Sequence, residues 1–163
     1  MKLHVGCGRI KLDGYQHLDI VEFPHVDYCC PAWDVPVSDG IFDEVYSRHL
    51  FEHFYPWEAN DSMREWRRIL KDDGKLKMIL PDLEYSVKQL FWEGMSGRLT
   101  KKTNQEHAMA NMYGWVSEGK LHMAHHWGYT QKTLSELVLK YFDCIEFNDC
   151  QIGDLAITAW GKK

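Results

Sequence analysis

No stretch of this 163-residue chain approaches the ~20 consecutive apolar residues that a membrane-spanning helix needs. Met1-Lys2 leads straight into a short apolar run without a leader pattern, so a cytoplasmic setting and no membrane partner are expected. A surplus of positive charge is also missing, with 19 Lys and Arg against 24 Asp and Glu and a formal net charge of −5. That balance speaks against a sequence-independent grip on nucleic acid, which depends on displacing counterions with Lys and Arg. There is no Cys-x-x-Cys, and five cysteines are an odd number, so free thiols are expected rather than a disulfide framework or a zinc knuckle. Nothing repeats and nothing is low in complexity, and 45% apolar residues are enough for one domain, 1–163, with a real core.

What is present begins at the start of the chain. Leu3-His4-Val5-Gly6-Cys7-Gly8 reads as a buried strand breaking into a tight loop, where absent Cβ atoms let backbone N–H groups approach a ligand. The dinucleotide fingerprint would place a third glycine at position 11, which is Lys, and no Gly-Lys-Ser/Thr follows to make a phosphate loop. Gly6, Cys7 and Gly8 are therefore candidates for a nucleoside cofactor loop of another kind. Gly14 to Ile20 reads as a turn and a second strand ending in Asp19-Ile20, and a carboxylate at a strand's C-terminal end can accept hydrogen bonds from both ribose hydroxyls.

Only ten residues separate Gly8 from Asp19, too few for the usual crossover helix between parallel strands, so that helix is expected to be shortened or missing. Residues 26–30 read as a third strand and 44–47 as a fourth, whose C-terminal end brings Ser47 and His49 to the ligand edge of an open sheet. Pro56 opens a helix whose stripe of Met63, Trp66, Ile69 and Leu70 is expected to run until Asp73-Gly74 stops it. A fifth strand follows over 75–80, and a last helix starts after an N-cap at Thr130. Strands at 144–147 and 155–160 close the chain.

In order and spacing these segments resemble class I S-adenosylmethionine-dependent methyltransferases, specifically the small type 11-like ones. The resemblance implies an α/β, doubly wound (Rossmann-like), mostly parallel sheet with a C-terminal antiparallel hairpin. It also implies S-adenosyl-L-methionine as cofactor and methyl transfer to an oxygen or nitrogen acceptor on a small molecule or a sugar or glycan. In that family an Asp just after the third strand reaches the adenine amino group. Here Pro31 stands at that point, which leaves Asp34 as the nearest carboxylate, with Trp33 beside it. A non-catalytic cofactor-binding protein and a nicotinamide-dependent oxidoreductase are the alternatives, the second disfavoured by the missing glycine and the terminal hairpin.

The excursion over 83–128 leaves the sheet after the fifth strand and carries two helical stretches, which makes it a candidate substrate lid. A homodimer arm, or a cover for the sheet face that a lost helix exposes, is the rival role. Two histidines are candidate catalytic residues because imidazole titrates near neutrality: His53, after the fourth strand with Glu52 to orient it, and His126, at the far end of the lid. His122 and His126 are also four apart, but no third ligand is evident, so no metal ligands are assigned.

Overall fold

The computed structural model describes residues 1–91, 103–117 and 121–161. Its centre is one sheet of seven strands in the order β3-β2-β1-β4-β5-β7-β6. The strands are β1 (Lys2–Val5), β2 (Gln16–Asp19), β3 (Tyr28–Cys29), β4 (Phe42–Arg48), β5 (Leu70–Pro81), β6 (Cys144–Asn148) and β7 (Asp154–Trp160). The first five run parallel, β7 pairs antiparallel with β5, and β6 pairs antiparallel with β7. The order reverses at β1, which lies between β2 and β4, and this switch point opens a crevice beyond the carboxyl ends of those strands.

Successive strand residues face opposite sides of a sheet, so the register sorts the side chains into two layers. Leu3 sits beside Val45 and Val45 beside Leu76, all fully buried. Against that face pack α1 (Pro56–Ile69), through Ala59, Met63, Trp66 and Ile69, and α4 (Gln131–Val138), through Leu134 and Val138. The N-cap of α4 is Thr130, whose side chain accepts from Thr133 N, as the sequence predicts.

The other face is polar. His4 sits beside Tyr46 and Tyr46 beside Lys77. Glu44 accepts from Lys77 Nζ at 2.7 Å and from the Tyr15 hydroxyl. The cause is connectivity: residues 6–15, 20–27 and 30–41 link four parallel strands without a single helix. The first crossover helix is missing, as the spacing predicts, and the next two crossovers are equally bare. A network of His4, Tyr15, Glu44 and Lys77 stands where those helices would have buried apolar residues.

Several boundaries differ from the sequence reading. The third strand is two residues long rather than five, and the fourth extends to Phe42 and Arg48. The larger difference is at α1, which ends at Ile69 rather than running to Asp73-Gly74, so that β5 begins at Leu70. Arg67 explains the early stop, because its guanidinium donates to the carbonyls of Leu70 (3.2 Å) and Lys71 (3.1 Å) and so replaces further helical turns. Asp72-Asp73-Gly74 is then an irregular stretch inside the strand, where the pairing with β4 shifts register between Phe42 and Glu44. Gly74 permits it: a Cβ there would come within 3.0 Å of the Phe42 and Lys71 carbonyl oxygens.

After β5 the chain forms α2 (Leu83–Gln89) and α3 (Asn104–Tyr113), then returns along 121–129 to α4. The return is pinned by backbone pairing between Gly114 and Ala124 and between Asp82 and Tyr129. Gly114 has φ +88°, and a Cβ there would sit 1.9 Å from the Met123 carbonyl oxygen. Gly114→Ala is therefore expected to cost at least ~1 kcal/mol locally and to free the returning limb. Hydrogen exchange checks it: the His125 amide, which donates to Tyr113 O at 3.2 Å, should lose protection while the β1 and β4 amides keep theirs.

Candidate functional site

The glycine loop is built from β1 outward. Gly6 (φ +69°) and Gly8 (φ +52°) both occupy the left-handed region that other residues avoid. Gly6 N and Cys7 N both donate to Leu18 O, at 2.8 and 3.2 Å, which ties the loop to the end of β2. Asp19 completes the knot, its Oδ2 accepting from Gly8 N at 2.7 Å and its Oδ1 from Val21 N at 2.9 Å. Each carboxylate oxygen can take a second hydrogen bond, so two acceptor positions remain on Asp19. Cys7 is buried, and burial first, with Asp19 second, pushes its thiol up to about 11. It stays protonated near neutrality and behaves as a small apolar residue.

Beyond this loop lies a cavity of about 620 Å³, within the ~300–1,000 Å³ range usual for small-molecule sites. Gly6, Gly8, Asp19 and Ile20 line one end, and Pro31 and Trp33 form a wall after β3. That wall is fixed from below, where Trp66 Nε1 donates to Ala32 O at 2.9 Å. Trp33 meets Phe54 edge-on, with ring centroids 5.7 Å apart. The other end is lined by His53, Tyr55, Glu58, His122 and His126.

That second end is assembled from two distant segments. A single 3-10 turn, Phe51–His53, follows β4, and its Glu52 carbonyl accepts from both His126 N (2.9 Å) and Trp127 N (3.2 Å). His53 Nδ1 lies 2.8 Å from Ala124 O, so Nδ1 carries a hydrogen and donates it, and Nε2 is the ring nitrogen left for another partner. Tyr55 sits in an aromatic stack, with Trp57 on one side (4.7 Å, 5°) and His126 on the other (4.2 Å, 21°). His125 points inward instead, its Nδ1 2.7 Å from Asn111 O, and burial lowers its pKa.

The sequence-predicted residues divide accordingly. Gly6, Gly8, Asp19, Ile20, His53 and His126 share the cavity wall, whereas Cys7, Asp34, Ser47 and His49 are not among its lining residues. Ser47 is buried beside Val5, where it faces the core, and His49 instead lies near Glu52 and Asp154. Of the lid aromatics, Tyr113, Trp115 and Trp127 are exposed and do not line the cavity. Residues 92–102 of the lid lie outside the described residues, as do 118–120. Sequence reasoning missed Tyr55 and Glu58 as lining residues. Their signal was a helix start: Glu58 accepts from Tyr55 N at 2.9 Å just ahead of Pro56, and that cap places both side chains at the cavity mouth.

Residues 11–78, under half of the chain, match the family model described as a methyltransferase domain. No curated protein sequence matches. Among solved structures, an S-adenosylmethionine-dependent methyltransferase from Thermotoga maritima aligns with a TM-score of 0.66 at 14% identity, covering 99% of this chain and 81% of its own. One from Methanosarcina mazei aligns with a TM-score of 0.63 at 14% identity, covering 99% and 92%. The 1,6-didemethyltoxoflavin-N1-methyltransferase of Burkholderia thailandensis, solved with 1,6-didemethyltoxoflavin and S-adenosylhomocysteine, aligns with a TM-score of 0.60 at 18% identity, covering 99% and 71%. At these identities the likeness speaks for the fold, and the family match speaks for the segment that carries Asp19 and the start of α1. Taken together, they make this chain similar in fold, and over residues 11–78 in sequence, to S-adenosylmethionine-dependent methyltransferases.

Proposed function

We propose that the protein methylates an oxygen or nitrogen atom of a small polar acceptor, a sugar or glycan hydroxyl being the first candidate, at the His53–His126 end of the cavity. The observation that carries this reading is continuity: the glycine loop with Asp19 and the aromatic-histidine cluster line one and the same cavity. The residues present fit the cofactor. A Cβ on Gly8 would meet nothing within 4 Å, so the loop leaves room for a ligand against its backbone. The two remaining acceptor positions of Asp19 suit the two ribose hydroxyls. Pro31 and Trp33 offer adenine a flat apolar wall in place of a carboxylate, and Trp33 is held there by Phe54.

When bound, S-adenosylmethionine supplies an electrophilic methyl group. What the chain adds is position, and holding two reactants in line is worth much of the barrier. Tyr55 and His126, already stacked on each other, present a flat surface of the kind that packs against a sugar ring. His126 then offers a ring nitrogen that hydrogen-bonds the acceptor, with His53 on the wall beside it. No helix among the described residues is long and apolar enough to cross a membrane.

His126→Ala is expected to lower kcat/KM for methyl transfer by about 10²-fold through loss of acceptor positioning, while S-adenosylhomocysteine binds as before. Screening sugars, hydroxylated metabolites and amines for S-adenosylhomocysteine release tests the whole reading. Turnover on one class that His126→Ala suppresses would support it. Equal turnover in the variant would move the acceptor site elsewhere.

A further inference from the structure

The Glu52 carboxyl is buried with few partners. The residue is 2% exposed, and its Oε2 is buried with no hydrogen-bond partner among the described residues. Its Oε1 lies near two imidazole nitrogens, His49 Nδ1 at 3.4 Å and His125 Nε2 at 3.9 Å, both beyond a good hydrogen bond. A buried carboxylate without a close cation or a full set of donors is costly, so a compensating positive group is the expected occupant.

The surrounding histidines have the arrangement that metal ligands have. His53 and His125 each commit Nδ1 to a backbone carbonyl, Ala124 O at 2.8 Å and Asn111 O at 2.7 Å. Such an outer hydrogen bond fixes the tautomer and leaves Nε2 as a lone-pair donor. The two rings meet edge-on with centroids 4.8 Å apart. One ligand atom each from Glu52, His53 and His125 lies within 4.8 Å of the others. Around a tetrahedral zinc with bonds of ~2.0–2.1 Å such atoms are ~3.3 Å apart, so closure asks for small rotations of rings held by one hydrogen bond apiece. His49, the one non-glycine residue with positive φ (+50°) among those described, reaches from Glu52 toward Asp154 Oδ2 at 3.7 Å and supplies an outer layer.

We propose that Glu52, His53 and His125 bind a divalent first-row transition metal ion, zinc being the best fit to two imidazoles and one carboxylate. His53 also lines the cavity, so a coordination position left open by the protein is at the acceptor end. In that role the site deepens the functional reading above, on which this one feature rests: His53 meets the acceptor through the ion, which favours acceptors carrying a hydroxyl that a Lewis acid can polarise. Metal binding itself does not depend on that reading.

The test is zinc titration of the metal-free full chain by calorimetry, with S-adenosylhomocysteine affinity measured on the same samples. One zinc per chain is expected, and His125→Ala and Glu52→Gln are each expected to weaken it by about 10²-fold or more. The chain has a rival histidine cluster on the open sheet face, where His17 and His25 are 5.3 Å apart, so His25→Ala serves as the control and should bind zinc normally. X-ray absorption on the zinc-loaded wild-type protein keeps the proposal testable if a variant fails to fold, since two imidazoles with oxygen donors are expected. No stoichiometric zinc, loss through His25→Ala alone, or a sulfur shell would overturn the metal site. Unaltered S-adenosylhomocysteine binding in that case would leave the methyltransferase reading standing.

Discussion

Gly8→Val is expected to abolish binding of S-adenosylhomocysteine while the domain stays folded. Both halves of that expectation come from the same geometry. The Gly8 Cβ position has nothing within 4 Å, so the protein leaves room where the new side chain starts, and Gly8 lines the cavity that the side chain would narrow. The backbone cost is real but bounded, since φ +52° at a β-branched residue is worth roughly 1–2 kcal/mol. Gly6 is a different case: a Cβ there would sit 2.7 Å from Leu50 Cδ2, so a substitution mixes cofactor exclusion with disturbed packing. Calorimetry with circular dichroism on Gly8→Val separates the two effects, and wild-type affinity in the variant would remove the glycine loop from the site.

Asp19→Ala is expected to weaken S-adenosylhomocysteine by about 2–4 kcal/mol, or roughly 30- to 1,000-fold, because two ribose hydroxyls lose a charged acceptor. Asp19 also holds the loop itself, through Gly8 N and Val21 N. Part of the loss therefore comes from a loosened loop, and Asp19→Asn, which keeps one acceptor oxygen, should fall between wild type and alanine. Asp34→Ala is expected to cost less than either, in keeping with its place outside the cavity lining. A larger effect at Asp34 would require the ribose and adenine roles to be reassigned.

The parts of the fold that could be read from the residues are those set by local chemistry. Gly6 and Gly8 announce positive φ, Thr130 announces a helix start, and the short Gly8–Asp19 spacing announces a missing helix, and each of these is found. The end of α1 could not be read this way. Leu70 continues the helical stripe, and the turn into β5 depends on several partners: Arg67 donates to the carbonyls of Leu70 and Lys71, while Gly40 N and Ile41 N donate to those of Arg68 and Ile69. The acceptor end of the cavity was half legible for a similar reason. His53 and His126 stand out as residue types, but their meeting depends on the Glu52 carbonyl receiving two amides from 126 and 127, a contact with no local signature. The same contact brings His125, rather than His122, toward Glu52. His122 and His126 are four apart but do not share a helix, since residues 121–123 form a 3-10 turn.

The bare sheet face follows from the same economy of sequence. Three crossovers too short or too rich in proline and glycine for helices leave His4, Tyr46 and Lys77 where apolar residues would sit under a helix layer. The core has consequently retreated to one side, where Trp66 and Phe42 are fully buried. The cavity keeps its shape because it is built from that side, on α1 and the turn before it.

A crystal structure of the protein with S-adenosylhomocysteine tests the central claim most directly, namely that cofactor and acceptor meet in the cavity between Asp19 and His126. The expected result has both ribose hydroxyls on Asp19, the adenine against Trp33, and the sulfur facing His53 and His126 at less than about 10 Å, close enough for an acceptor in line with the methyl to reach them. A ligand bound away from Asp19, or a sulfur farther than about 10 Å from both histidines, would contradict it.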